Sequence, residues 1–283
     1  MIDLSRYGSD DPIAWCPGCG NFGILSAVKQ ALAELDIEPE NTLFVSGIGQ
    51  AAKLPHYLRC NMFNGLHGRA LPVAAGARIA NHDLAVIAVG GDGDGYSEGG
   101  NHFIHAMRRN LNMTYLVHDN QIYALTKGQA SPTTDKLTKT GTTPWGVYGE
   151  PERPLALAVA SNCSFVARGF SGDQEHLTGI IKEAITHKGF SFVDILQPCV
   201  TFNKINTFKW YSERVTKLDG SYDPRNRIKA FETALEWGDR IPIGVIFKGR
   251  EGSYEEATGL ASAEPLAHRG PAMDIGRLLE EFK

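Results

Sequence analysis

The chain of 283 residues is poor in cysteine, carries no excess of basic charge and contains no long apolar run. Its five cysteines, Cys16, Cys19, Cys60, Cys163 and Cys199, are an odd number and too sparse for a disulfide-stapled secreted scaffold. Lys and Arg number 28 against 32 Asp and Glu, a formal net charge of -4 that leaves no electrostatic footprint for nucleic acid. No stretch approaches the roughly 20 apolar residues that a membrane helix needs. The opening residues, MIDLSRYGSDDP, are polar and acidic and lack the basic and apolar regions of an export signal. A cytoplasmic protein with reduced thiols is expected, in which a close cysteine pair binds metal or does redox chemistry.

Short β-branched runs alternate with amphipathic segments through the first 200 residues. NFGILSAVKQALAEL spaces Leu25, Val28, Leu32 and Leu35 for a helix, with Asn21 as its N-cap. TLFVSG reads as a strand, and LAVIAVGG as one buried on both faces. A helical stretch near 99–110, the strand MTYLVHDN and a loop rich in Gly, Thr and Pro follow. Then come a helix over 154–162, the strand SFVAR, the helix DQEHLTGIIKEAITHK and the strand FSFVDILQP. Strands separated by helices imply parallel βαβ units with right-handed crossovers. The expected fold is α/β, a doubly wound and mostly parallel sheet over residues 1–200. Residues 201–283 form a C-terminal extension packed on that domain or on a partner, with one helix (227–237) and one short strand (243–247).

In such sheets ligands bind at the carboxyl ends of the strands. After LAVIAV comes GGDGDGYSEGGNH, and after MTYLV comes HDNQIYALTKGQASPT. Asp92 and Asn120 thus offer carboxylate and amide oxygens at two strand ends, hard ligands suited to Mg²⁺. The glycines allow backbone N–H groups to approach a phosphate. Alone, Gly-Asp-Gly is also consistent with a tight turn. Paired with Asn120 beyond a second strand, it resembles the thiamine diphosphate fingerprint. WCPGCGNFG raises a separate question, because its two cysteines suit a redox dithiol, a metal site or a turn.

WCPGCGNFG, VSGIG, GLHGR, GGDGDGYSEGGNHF, DNQIYALTKGQASPT and QPCVTFN stand in this order. Together they resemble the β subunit of the 2-oxoacid:ferredoxin oxidoreductases, over about residues 12–250. The resemblance implies that Asp92, Asn120 and the Ile122 carbonyl hold Mg²⁺. It implies that Gly47, Ile48, His67, Gly91, Gly93, Asp94 and Tyr123 line thiamine diphosphate. His67 would donate a hydrogen bond to the diphosphate. The carboxylate that activates the aminopyrimidine would come from a partner α subunit, so the chain alone would be catalytically incomplete.

The same resemblance implies a [4Fe-4S] cluster on Cys16, Cys19 and Cys199, with a fourth cysteine after SGIG. That position is Gln50 here, and thiolates are the usual ligands of such clusters. Three readings stand: Cys60 completes the set, one iron carries an atypical ligand, or no cluster is bound and the thiols are a remnant or hold zinc. The atypical ligand is preferred, with Cys60 and Cys163 read as core. The implied reaction is CoA-dependent oxidative decarboxylation of a 2-oxoacid, with electrons passed to ferredoxin. Leu125 and Lys127 in the LTKGQ loop resemble the 2-oxoglutarate or broad-specificity members, with Lys127 or Lys53 pairing with a distal carboxylate. Rival readings are a pyruvate- or arylpyruvate-specific member, a thiamine decarboxylase or synthase half without a cluster, and a nucleotide-binding or zinc-stapled module. GGDGDG does not fit the GxGxxG dinucleotide fingerprint.

Overall fold

The structure is a computed structural model that describes residues 2–249, 252–270 and 275–282. Along the chain it forms α1 (Asn21–Glu34), β1 (Thr42–Ser46), β2 (Asn61–Asn64), α2 (Ala70–Ala80), β3 (Ala85–Gly91), α3 (Gly100–Arg109) and β4 (Met113–Asp119). A small hairpin, β5 (Ile122–Tyr123) and β6 (Gln129–Ala130), precedes α4 (Pro154–Ala160), β7 (Phe165–Phe170), α5 (Gln174–Thr186) and β8 (Phe190–Leu196). The rest comprises α6 (Phe208–Ser212), β9 (Val215–Lys217), α7 (Arg227–Leu235), β10 (Ile241–Lys248), α8 (Tyr254–Ala257) and α9 (Ile275–Glu280).

The sheet is eight-stranded, in the order β2-β1-β3-β4-β8-β7-β10-β9. From β2 to β7 every neighbouring pair is parallel, whereas β10 runs antiparallel to β7 and carries β9 parallel to itself. The apolar run of β3 serves both faces by strict alternation. Val86 and Ala88 join the core beneath α2, α3, α4 and α7, while Ile87 and Val89 join the core beneath α1 and α5. In β8, Phe190 and Phe192 pack on the first face and Val193 and Ile195 on the second. Burial of both faces explains why these strands read as continuous apolar segments.

The doubly wound, mostly parallel expectation agrees with this architecture. Helix α1 corrects one detail. Gly20, not Asn21, occupies the N-cap, and Asn21 is the first helical residue, 1% exposed. Asn21 turns inward because its Oδ1 accepts from His118 Nδ1 at 2.8 Å, which fixes the start of α1 against the end of β4. Burial pushes the His118 imidazole down to about 3, so the ring is neutral. Strand β2 escaped the sequence pattern because all four of its residues are exposed, as an edge strand permits. In the C-terminal segment the strand expected at 243–247 is β10, and it enters the main sheet. A third apolar cluster of Phe170, Leu196, Tyr211, Ile241 and Ile243 seals that seam. Among the described residues no helix is long and apolar enough to cross a membrane.

Candidate functional site

Four neighbouring strands, β1, β3, β4 and β8, deliver their following segments to one end of the sheet. There Ile48, Gly49, Gln50, His67, Gly91, Asp92, Gly93, Asp94, Asn120, Ile122, Tyr123 and Leu125 line a cavity of about 80 Å³. Most of the residues predicted for thiamine diphosphate are thus brought together.

Asp92 is 2% exposed, at the turn from β3 into a short π-helix (Gly93–Glu98) that leads into α3. Its Oδ2 accepts from Thr133 Oγ1 at 2.7 Å and from Ser131 Oγ. Burial raises its carboxyl above the usual range, and the two hydroxyl donors oppose that rise. Thr133 Oγ1 also lies 2.8 Å from Asp119 Oδ1. Asp119 is raised well above normal by burial, then by the charges of Asp194 and Asp92. Asp194 is itself pushed up by burial to about 6, with Arg168 working against the rise. A buried region this rich in carboxylates gains from a cation beside Asp92.

Asn120 Oδ1 accepts from the Ile122 N–H at 3.0 Å, which curls the strand end so that Asn120 and Ile122 face the Asp92 cavity. One carboxylate, one amide oxygen and one backbone carbonyl are the oxygen donors that Mg²⁺ favours. The residues therefore fit a magnesium ion, which would keep its remaining positions for water and phosphate.

Asp94 is held differently. Its Oδ1 accepts from the Ile48 N–H at 2.9 Å and the Gly68 N–H at 2.8 Å, with His67 Nδ1 3.1 Å away. The His67 contact is near enough for an ion pair but lacks hydrogen-bond geometry. Asp94 Oδ2 is buried without a partner, an unmet acceptor on a cavity-lining residue. Gly47 does not line the cavity. Its role is space, since a Cβ there would collide with Asp94 Oδ2. Gly93 must likewise be bare, because Tyr123 packs against it and its hydroxyl donates to the Gly93 carbonyl at 3.3 Å.

A second cavity, of about 40 Å³, abuts the first and shares Gln50, Asn120 and Ala124 with it. Cys16, Cys19 and Cys199 line it, together with Trp15, Gln197 and Thr201. Thr201 Oγ1 donates to Cys16 Sγ at 3.0 Å and Gln197 Nε2 to Cys19 Sγ at 3.5 Å. Such donors stabilise thiolate sulfur, and Gln50 Oε1 is buried with no partner. Three sulfurs and one orphaned amide oxygen around a single cavity fit an iron–sulfur cluster in chemistry. Among the described residues no three His, Cys, Asp or Glu side chains are gathered closely enough to hold a metal ion.

Cys60 does not reach this cavity. It is half-buried against the core beneath α1, and burial pushes its thiol up to about 12. Its candidacy as fourth ligand is thereby corrected, because the helical turn Ala51–Tyr57 separates it from Gln50 along the chain and the thiols lining the cavity are Cys16, Cys19 and Cys199. Cys163 is fully buried core. Lys53 and Lys127 also lie outside the cavity lining, whereas Leu125 is in it. Lys53 sits half-buried on the Ala51–Tyr57 turn. Lys127 is exposed at the tip of the β5–β6 hairpin, with φ +77.

Sequence reasoning missed Ser131, Thr133 and Gln197. The first two follow the LTKGQ loop and the third opens QPC, so each stood inside a recognised motif without a role. Only folding shows that Ser131 and Thr133 grip Asp92 and that Gln197 bonds to both Asn120 and Cys19.

Residues 42–195 match the family described as thiamine pyrophosphate enzyme, C-terminal TPP binding domain. The site and this match define a thiamine diphosphate-binding subunit. Residues 199–262 match the family that describes the C-terminal part of the pyruvate ferredoxin oxidoreductase β subunit. Over 256 residues the chain is 47% identical to a 2-oxoacid:ferredoxin oxidoreductase subunit beta from a Sulfolobus species, covering 86% of this chain and 84% of that one. It is 40% identical over 248 residues to the 2-oxoglutarate oxidoreductase subunit KorB of Mycobacterium tuberculosis, covering 88% of this chain and 62% of that one. It also superimposes with a TM-score of 0.91, at 37% identity, on the solved structure of a 2-oxoglutarate:ferredoxin oxidoreductase from Magnetococcus marinus with 2-oxoglutarate, coenzyme A and succinyl-CoA bound, covering 100% of this chain and 96% of that one. The chain belongs to the family of 2-oxoacid:ferredoxin oxidoreductase β subunits.

Proposed function

We propose that this β subunit takes part in CoA-dependent oxidative decarboxylation of 2-oxoglutarate, with a partner α subunit that completes the thiamine site and ferredoxin receiving the electrons. The observation that carries the reading is the contact between the two cavities through Gln50, Asn120 and Ala124. A diphosphate site and a three-thiol site that share a wall suit a reaction whose electrons leave where they are released. Bound thiamine diphosphate supplies the nucleophilic carbon and electron sink for decarboxylation, and an iron–sulfur cluster accepts electrons one at a time.

This chain's residues have separable tasks. Asp92, Asn120 and the Ile122 carbonyl would hold Mg²⁺ and so anchor the diphosphate. The Ile48 and Gly68 backbone and His67 orient Asp94, which leaves its Oδ2 for a donor on the cofactor. Cys16, Cys19 and Cys199 would hold the cluster, supported by hydrogen bonds from Thr201 and Gln197. Leu125 lines the cavity and leads to Lys127 at the hairpin tip. Preference for 2-oxoglutarate over pyruvate is supported by relatives named as 2-oxoglutarate enzymes and by the cation at this tip.

The test is reduction of ferredoxin by the assembled, anaerobically purified complex. Turnover should require both 2-oxoglutarate and CoA and exceed the turnover with pyruvate. Equal turnover with pyruvate would establish the broad-specificity alternative. CO₂ release without electron transfer would place the chain with the thiamine decarboxylases.

A further inference from the structure

Gln50 stands out as an amide set among thiols. Its backbone carbonyl accepts from Trp15 Nε1 at 2.8 Å, which fixes the residue beside the Cys16–Cys19 turn. Its side chain lines both cavities, and its Oε1 is shielded from solvent with no hydrogen-bond partner. A buried acceptor left unmet is destabilising, so an electropositive group in the cavity would relieve a standing penalty. Around that cavity the sulfurs of Cys16 and Cys19 each accept a hydrogen bond, and Cys199 is 7% exposed. Cys60, the other thiol in this part of the chain, packs against the core beneath α1 and does not line the cavity.

We propose that Gln50 Oε1 faces the one iron of the cluster that no thiolate holds, and that this iron is therefore exchangeable. The proposal rests on the reading that the three cysteines carry a four-iron cluster. Three irons would be fixed by Cys16, Cys19 and Cys199. The fourth would meet a neutral oxygen donor, which binds iron more weakly than the thiolates that suit such clusters. Mild oxidation should then release that iron alone. Ferricyanide takes one electron from [4Fe-4S]²⁺, one Fe²⁺ departs, and [3Fe-4S]⁺ remains. Reduction in the presence of Fe²⁺ reverses the change.

The experiment uses the anaerobically purified complex and follows iron, acid-labile sulfide and the EPR spectrum before and after ferricyanide. Gln50→Cys and Gln50→Ala complexes run in parallel, with far-UV circular dichroism and thermal melting as the check on folding. The native complex should lose one iron in four and develop the signal of an oxidised three-iron cluster. Gln50→Cys should keep all four irons under the same treatment. Gln50→Ala should lose the iron about tenfold faster than the native complex, the factor that a ~1.4 kcal/mol weaker hold implies. If the native cluster withstands ferricyanide as well as Gln50→Cys does, the proposal is overturned while the proposed function stands. If native, Gln50→Cys and Gln50→Ala complexes are all folded yet contain no iron or sulfide, the cluster reading falls and takes this proposal with it.

Discussion

Asn120 Nδ2 donates to Gln197 Oε1 at 3.1 Å, and the other end of the same amide, Gln197 Nε2, reaches Cys19 Sγ at 3.5 Å. One side chain thus ties a proposed magnesium ligand to a proposed cluster ligand. Gln197 is 1% exposed, and its Nε2 is further fixed by the Pro198 carbonyl at 2.7 Å. Its orientation is accordingly set by the fold.

Gln197→Leu should act on both sites at once. Loss of the bond to Asn120 removes about 1 kcal/mol of positioning, which corresponds to roughly fivefold weaker Mg²⁺–thiamine diphosphate binding. Loss of the donor to sulfur should make the cluster's reduction potential more negative. Calorimetric titration and a redox titration followed by EPR check the two effects. A change in only one of them would separate the sites.

Gly47→Ala should weaken thiamine diphosphate binding severely. A Cβ at this position would strike Asp94 Oδ2 and push the carboxylate off the Ile48 and Gly68 N–H groups. Gly76→Ala is the control, because that glycine lies within α2 with open space around it. It should be neutral or stabilise by about 0.5–1 kcal/mol. Thermal melting and cofactor titration of both variants make the comparison.

Cys60→Ala should leave iron content and EPR spectrum unchanged. The structure puts this thiol half-buried against the core beneath α1, where truncation costs stability alone. Burial pushes the Cys60 thiol up to about 12, so little of it is ionised at pH 8 and iodoacetamide should modify it very slowly. Peptide mapping after timed alkylation measures this. Rapid labelling of Cys60 in the folded complex would contradict its placement.

Lys127→Ala should lower turnover with 2-oxoglutarate relative to pyruvate. A charge-assisted bond to the distal carboxylate is worth about 1.5–3 kcal/mol, or roughly 10- to 100-fold in kcat/KM. Lys127 lies at the hairpin tip outside the cavity lining, so its contribution depends on its long side chain reaching the bound substrate. Lys53→Ala provides the comparison. An unchanged ratio in Lys127→Ala would remove this residue from substrate choice.

What the sequence disclosed follows from the range of each interaction. Strand β3 and the Asp92 turn were legible because a continuous apolar run and Gly-Asp-Gly are local signals. Cys16 and Cys19 were legible as a pair for the same reason. Their meeting with Cys199 rested on resemblance; in the structure the Gly20 N–H donates to the Pro198 carbonyl at 3.2 Å, and the three cysteines line one cavity. Strand β2 was not legible, because an exposed edge strand has no buried face to impose alternation. Thr133 was missed because its partners, Asp92 and Asp119, belong to two different strand ends and only the hairpin carries it to them. Cys60 illustrates the converse: closeness to Gln50 in sequence did not bring it to the cavity that Gln50 lines.

The central claim is that Asp92, together with Asn120 and the Ile122 carbonyl, anchors thiamine diphosphate through Mg²⁺. Calorimetric titration of the assembled complex with thiamine diphosphate, with and without Mg²⁺, tests it most directly when native protein is compared with Asp92→Asn. Tight binding that requires Mg²⁺ is expected in the native complex. Asp92→Asn should lose that requirement and bind at least about a hundredfold more weakly, since removing one partner of a buried charge pair costs about 3–5 kcal/mol. Native binding that is indifferent to Mg²⁺, or Mg²⁺-dependent binding that survives in Asp92→Asn, would contradict it.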